Sequence, residues 1–166
     1  MRLRKVASLA GAAILALTGP TAAVEALKVT PPKIEVREHQ LANGLKVLLH
    51  EDHSVPVVNA QVIFSVGSKN ERQGRSGFAH LFEHIMFKGS ENLGPQEHSD
   101  FITSIGGAVN AGTDFDRTVY YQTIPSNYLE RILWMEADRL RSLNVSEENF
   151  TSERDVVKEE RRLRVE

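Results

Sequence analysis

The sequence predicts an α+β domain with a largely antiparallel sheet covered by helices. Short strand-like runs joined by tight turns come first, and hairpin-type connections recur along the chain. Long helical periodicity is confined to the C-terminal third. "KIEVREHQLANGLKVLLHED" reads as two strands about an Asn43-Gly44 turn, with Ile34 and Val36 alternating with polar residues. "VPVVNAQVIFSVGS" is a third strand, nearly continuous in apolar residues and therefore expected at the sheet centre. Ser76 is the expected N-cap of a helix through "GFAHLFEHIMFKG" that ends at Gly89. A short helix over Glu97 to Ile105 stops at Gly106-Gly107. "AVNAGT" and "RTVYYQTI" follow as strands around Asp114-Phe115-Asp116, and two helices begin at Pro125-Ser126 and at Ser146. Asn149 stands where a full capping box would have Glu or Gln.

The chain of 166 residues suits one domain, so a function needing a second lobe must find it elsewhere. A net charge of −2 with intermixed acids and bases lacks the basic footprint that nucleic-acid binding requires. "MRLRKVASLAGAAILALTGPTAAVEA" has a basic start, a short apolar core and small residues at its exit. It reads as a secretory signal over residues 1–23, with cleavage after Ala23 or, as second choice, Ala26. The expected product is exported to the periplasm or cell envelope of a bacterium, with no stable membrane span after cleavage. Removing residues 1–23 takes away Arg2, Arg4 and Lys5 and no acid, which shifts the net charge from −2 to −5. Residues 24–32 form a linker ending in two prolines, and 33–166 form the domain. The last helix reaches Glu166 without a stop signal, so the sequence reads as the N-terminal part of a longer domain.

Function concentrates at residues 80–84. His80, Glu83 and His84 share one helical face inside an otherwise apolar run, where such groups are costly unless paired. Two neutral imidazoles one turn apart can reach one zinc ion, and an adjacent carboxylate can take a proton from water and return it to a leaving amine. With no cysteine in the chain, a third ligand must be another histidine (His39, His50, His53, His98) or a carboxylate. "ERDVVKEERR" supplies carboxylates on a helix, and spacing alone leaves Glu153, Glu159 and Glu160 open.

"GRSGFAHLFEHIMFKGSENL", "GGAVNAGTDFDRTVYY" and "SERDVVKEERR", in that order, resemble the N-terminal domain of the pitrilysin/insulinase family of zinc metallopeptidases, whose motif is the inverted H-x-x-E-H. The likeness runs from about Leu41 to the chain end, and the chain closely resembles the bacterial and mitochondrial-processing-peptidase branch. It implies a metal-site helix packed with a later helix that carries the third ligand. It further implies that His80, His84 and Glu160 bind zinc, that Glu83 is the general base, and that Glu153 supports the site. Asn110 and Ala111 correspond to a strand along which substrate lies; Asn110 could equally satisfy its own backbone. The resemblance implies a zinc-dependent endopeptidase acting on peptides or unfolded polypeptide segments, completed by a second homologous domain or partner chain. Its alternative is a non-catalytic substrate-binding or structural subunit. Elsewhere, His98 reads as exposed, and Trp134 and Met135 with Leu129, Ile132 and Leu133 read as core. Arg161, Arg162 and Arg164 read as a solvated face with Glu159 and Glu166.

Overall fold

A computed structural model describes Pro31 and residues 33–165. The expected signal segment and nearly all of the linker lie outside the described residues. The described residues divide into two compact units, the first ending at Glu51 and the second beginning at Asp52.

The first unit contains a hairpin of β1 (Arg37–Gln40) and β2 (Lys46–Leu49), antiparallel with Arg37 opposite Leu49. Gly44 takes φ 89° in the turn, and Asn43 Oδ1 accepts a hydrogen bond from the Leu45 amide. Both strands are shorter than the sequence suggests: Ile34 and Val36 precede β1 and are exposed.

The second unit contains β3 (Val57–Phe64), α1 (Phe78–Ile85), α2 (Glu97–Ser104), β4 (Ala108–Thr113), β5 (Thr118–Pro125), α3 (Leu129–Ser142) and α4 (Glu147–Val165). Its sheet is antiparallel in the order β3-β5-β4, with Val57 opposite Pro125 and Ala108 opposite Thr123. The apolar run of β3 is therefore at an edge, among the described residues, and β5 is central. The reason is visible in the side chains: Val57, Ile63 and Phe64 remain exposed, whereas β5 buries Thr118, Tyr120, Gln122 and Ile124. Polar residues could occupy the centre because hydrogen bonds meet them there. Gly67, just after β3, has its Cα so close to the β4–β5 turn that a Cβ would sit 2.3 Å from the Asp114 carbonyl oxygen. The Ser68 amide donates to that same oxygen.

Leu93, Ile102, Ile124, Ile132 and Met135 form the core between α2, α3 and β5. Each such side chain contributes roughly 1.5–3 kcal/mol by leaving water. Along α3 the buried positions are 132, 135, 136, 138 and 139; all but Asp138 fall on one face at helical spacing. Trp134 and Leu133 fall off that face and are exposed, contrary to the core expectation; the Arg131 guanidinium lies 4.7 Å from the Trp134 ring centroid.

His98 also departs from expectation, because it is buried at 5% exposure. It lies one turn before Ile102 on the inward face of α2, so helical phase outweighs the polarity of a first turn. Beneath it, Arg139 donates to both carboxylate oxygens of Glu136 at 2.8 and 2.7 Å, and Gln122 donates to Glu136 at 2.6 Å. Arg139 also lies over the Tyr120 ring, whose burial pushes the phenol well above its ordinary pKa. Asp138 fixes the segment after α1: the Ser90 hydroxyl and Asn92 amide donate to it, which holds its carboxyl below the usual carboxylate range. Ser146 Oγ caps α4 by accepting from the Asn149 amide, as half a capping box should. No helix among the described residues is long and apolar enough to cross a membrane.

Candidate metal centre

Helix α1 starts without its expected cap. Gly77, at φ 90°, occupies the N-cap position, and the Glu71 carboxylate replaces Ser76 by accepting from the Gly77 and Ala79 amides at 2.8 Å each. The helix ends at Ile85, and a tightened turn in which Phe87 and Lys88 donate to the His84 and Ile85 carbonyls leads to Gly89. Leu81, Glu83 and Ile85 are buried. His80 and His84 face α4, which packs along α1, and Glu83 lines the same cleft beside them.

That packing brings Glu160 to the histidine pair. His80 Nε2 and His84 Nε2 are 3.2 Å apart, and the Glu160 carboxylate oxygens lie 3.4 Å from the first and 3.6 Å from the second. Among the described residues these three form a group able to hold a metal ion. Four ligands about 2.0–2.1 Å from a tetrahedral zinc stand roughly 3.3 Å from one another, so the three observed separations match one face of such a site. Glu159 turns away to Arg162 at 3.0 Å, which removes one of the acids that spacing left open. His39, His50, His53 and His98 are not in the group.

Glu153 lies under the site, 6% exposed, with Oε2 3.0 Å from His84 Nδ1 and Oε1 2.6 Å from Lys88 Nζ. Glu83 is not part of the three-residue group; its Oε2 accepts a 2.6 Å hydrogen bond from the Thr113 hydroxyl. Thr113 in turn touches the Thr118 hydroxyl at 3.2 Å, and Thr118 donates to the Val66 carbonyl. Two clefts of about 480 and 660 Å³ flank the centre and share His80, Glu83, Ala111 and Arg164. Arg164 also comes within 3.8 Å of Glu160, so it is part of the rim and not only of a solvated face. Asn110 and Ala111 lie on β4, the strand at the other edge of the sheet among the described residues. The Ala111 amide donates to the Asn110 side chain, so Asn110 does satisfy its local backbone.

Lys88 and Thr113 were not singled out by sequence reasoning. Lys88 is one turn beyond His84, and Thr113 stands two residues after Ala111 on the same face of a strand already flagged, so helical phase and strand alternation were the available signals.

The sequence profile of the insulinase family, peptidase family M16, matches residues 46–164. The chain is 40% identical over 125 residues to "Zinc protease PqqE" of Helicobacter pylori, an alignment covering 75% of this chain and 28% of that protein. It is 32% identical over 123 residues to "Probable mitochondrial-processing peptidase subunit beta, mitochondrial" of Arabidopsis thaliana, covering 74% and 23%. The crystal structure of a protease from Helicobacter pylori superposes with a TM-score of 0.77 at 38% identity, covering 79% of this chain and 32% of that one. The chain thus spans less than a third of the relatives it matches.

Proposed function

From the premise that this chain belongs to the insulinase family, peptidase family M16, we propose that it supplies the catalytic site of a zinc-dependent endopeptidase. The observation that carries the reading is the convergence of His80, His84 and Glu160 at separations of 3.2–3.6 Å, with Glu83 alongside. Zinc held by those three residues would supply Lewis acidity toward a peptide carbonyl and toward the attacking water. Glu83 is the general base: Thr113 occupies Oε2 and thereby fixes the carboxylate, which takes a proton from water and returns it to the leaving amine. Glu153 accepts from His84 Nδ1 and keeps that imidazole turned with Nε2 toward Glu160. An extended peptide would add to the β4 edge at Asn110 and Ala111 by main-chain hydrogen bonds, exchanging with the contact that Asn110 makes to its own neighbour.

Peptides or unfolded polypeptide segments are the proposed substrates, and a second homologous domain or chain is the proposed partner that closes the clefts. Domain boundaries at 23 and 32 and export to the periplasm or cell envelope belong to the same proposal, supported by the basic, apolar and small-residue blocks of residues 1–23.

The test compares Glu83→Gln and His84→Ala in the full-length protein by metal analysis and peptide hydrolysis. Glu83→Gln should keep zinc near the wild-type level and lose hydrolysis, while His84→Ala should lose both. Equal zinc loss in the two variants contradicts the roles. A wild type that binds zinc without hydrolysing peptides would favour the non-catalytic subunit.

A further inference from the structure

Glu153 is nearly enclosed, and each of its two oxygens has one partner. Oε2 faces His84 Nδ1 at 3.0 Å, and Oε1 faces Lys88 Nζ at 2.6 Å. The lysine is itself only 22% exposed in its side chain. An unaccompanied carboxylate at such a position is expensive, and a buried ion pair persists only with close geometry and further hydrogen bonds. A carboxylate only accepts hydrogen bonds, so the hydrogen on neutral His84 is at Nδ1 and the Nε2 lone pair is left for a ligand. Lys88 and His84 are four residues apart: Lys88 belongs to the turn that extends α1, and Glu153 reaches across from α4. The ammonium therefore holds the carboxylate against the imidazole, and all three side chains line the larger cleft.

We propose that Lys88 is a positioning residue of the metal centre, acting through Glu153 to fix the orientation and tautomer of His84. This rests on the reading of His80, His84 and Glu160 as the metal ligands. A lysine that only stabilised the fold would change melting temperature without changing metal affinity in proportion, and its effect would not depend on Glu153.

The experiment is a zinc competition titration against a chromophoric chelator, using full-length wild type, Lys88→Met, Lys88→Arg, Glu153→Gln and the Lys88→Met/Glu153→Gln double variant. Melting temperatures of the chelated proteins are read alongside. Lys88→Met should weaken zinc binding by about 10- to 100-fold, the range for loss of a residue that orients a ligand, and Lys88→Arg should recover most of it. The double variant should bind zinc no more weakly than Glu153→Gln alone, because the two residues act as one unit. Wild-type affinity in Lys88→Met, or losses that multiply in the double variant, overturns the proposal. If Lys88→Met does not fold, Lys88→Gln replaces it and the same two outcomes decide. A wild type that takes up no zinc, or a His84→Ala variant that keeps it, defeats instead the ligand assignment beneath.

Discussion

The Thr113 hydroxyl donates to Glu83 Oε2 at 2.6 Å, joining the last residue of β4 to the helix that carries the histidines. In the proposed mechanism a carboxylate that must meet a water on one side is held by a hydroxyl on the other. Hydrogen bonds to charged groups are worth about 1.5–3 kcal/mol, and about 1.4 kcal/mol is a factor of ten in rate. Thr113→Val keeps shape and strand propensity but removes the donor. It should lower kcat about tenfold or more in the full-length enzyme while KM stays within a few-fold, and Thr113→Ser should restore kcat. Unchanged kcat in Thr113→Val would show that the hydroxyl has no role in placing the base.

Glu71 has a different task, since its two oxygens accept from the Gly77 and Ala79 amides at the start of α1. It satisfies two donors that the helix cannot, and its charge complements the positive end of the helix. Glu71→Ala should cost about 1–2 kcal/mol, by the measure of lost helix caps. Urea unfolding reports this as a lower midpoint, and Glu71→Gln should retain part of it. A midpoint equal to wild type would mean that water replaces the carboxylate at no cost.

The division between what sequence showed and what it hid follows from these contacts. His80, Glu83 and His84 were readable because one helical turn fixes their relation whatever surrounds them. Glu160 needed the packing of α4 on α1, which no local spacing specifies, and only a resemblance singled it out from Glu153 and Glu159. Glu71 was missed because it reaches forward over an irregular loop to a cap position that Ser76 was expected to fill. Trp134 and His98 were misplaced in opposite directions for a single reason. Hydrophobicity suggested depth, whereas the phase of each helix set it, with Ile132 and Met135 inward on α3 and His98 beside Ile102 inward on α2.

Enclosure gives His98 a pH signature. Burial disfavours its charged form, and the Arg139 guanidinium disfavours it further, so the pKa falls from the ordinary 6.5 to about 4. Glu136 is 3.8 Å away but offers little to offset this, because Arg139 already engages both its oxygens and Gln122 one of them. Above pH 6.5 the imidazole is neutral in the folded and unfolded chain alike, and folding is indifferent to pH through this residue. Below 6.5 the unfolded chain takes up a proton that the folded chain refuses, so stability falls with pH and levels off once His98 is protonated in both states, near pH 4. At 1.36 kcal/mol per unit the whole loss is about 3 kcal/mol. Urea midpoints of the full-length protein, taken from pH 7 to pH 4 with chelator present so that metal release does not contribute, should fall more steeply for wild type than for His98→Gln. The difference should accumulate between pH 6.5 and 4. Parallel curves for the two proteins across that interval would show that the buried ring accepts a proton as readily as an exposed one.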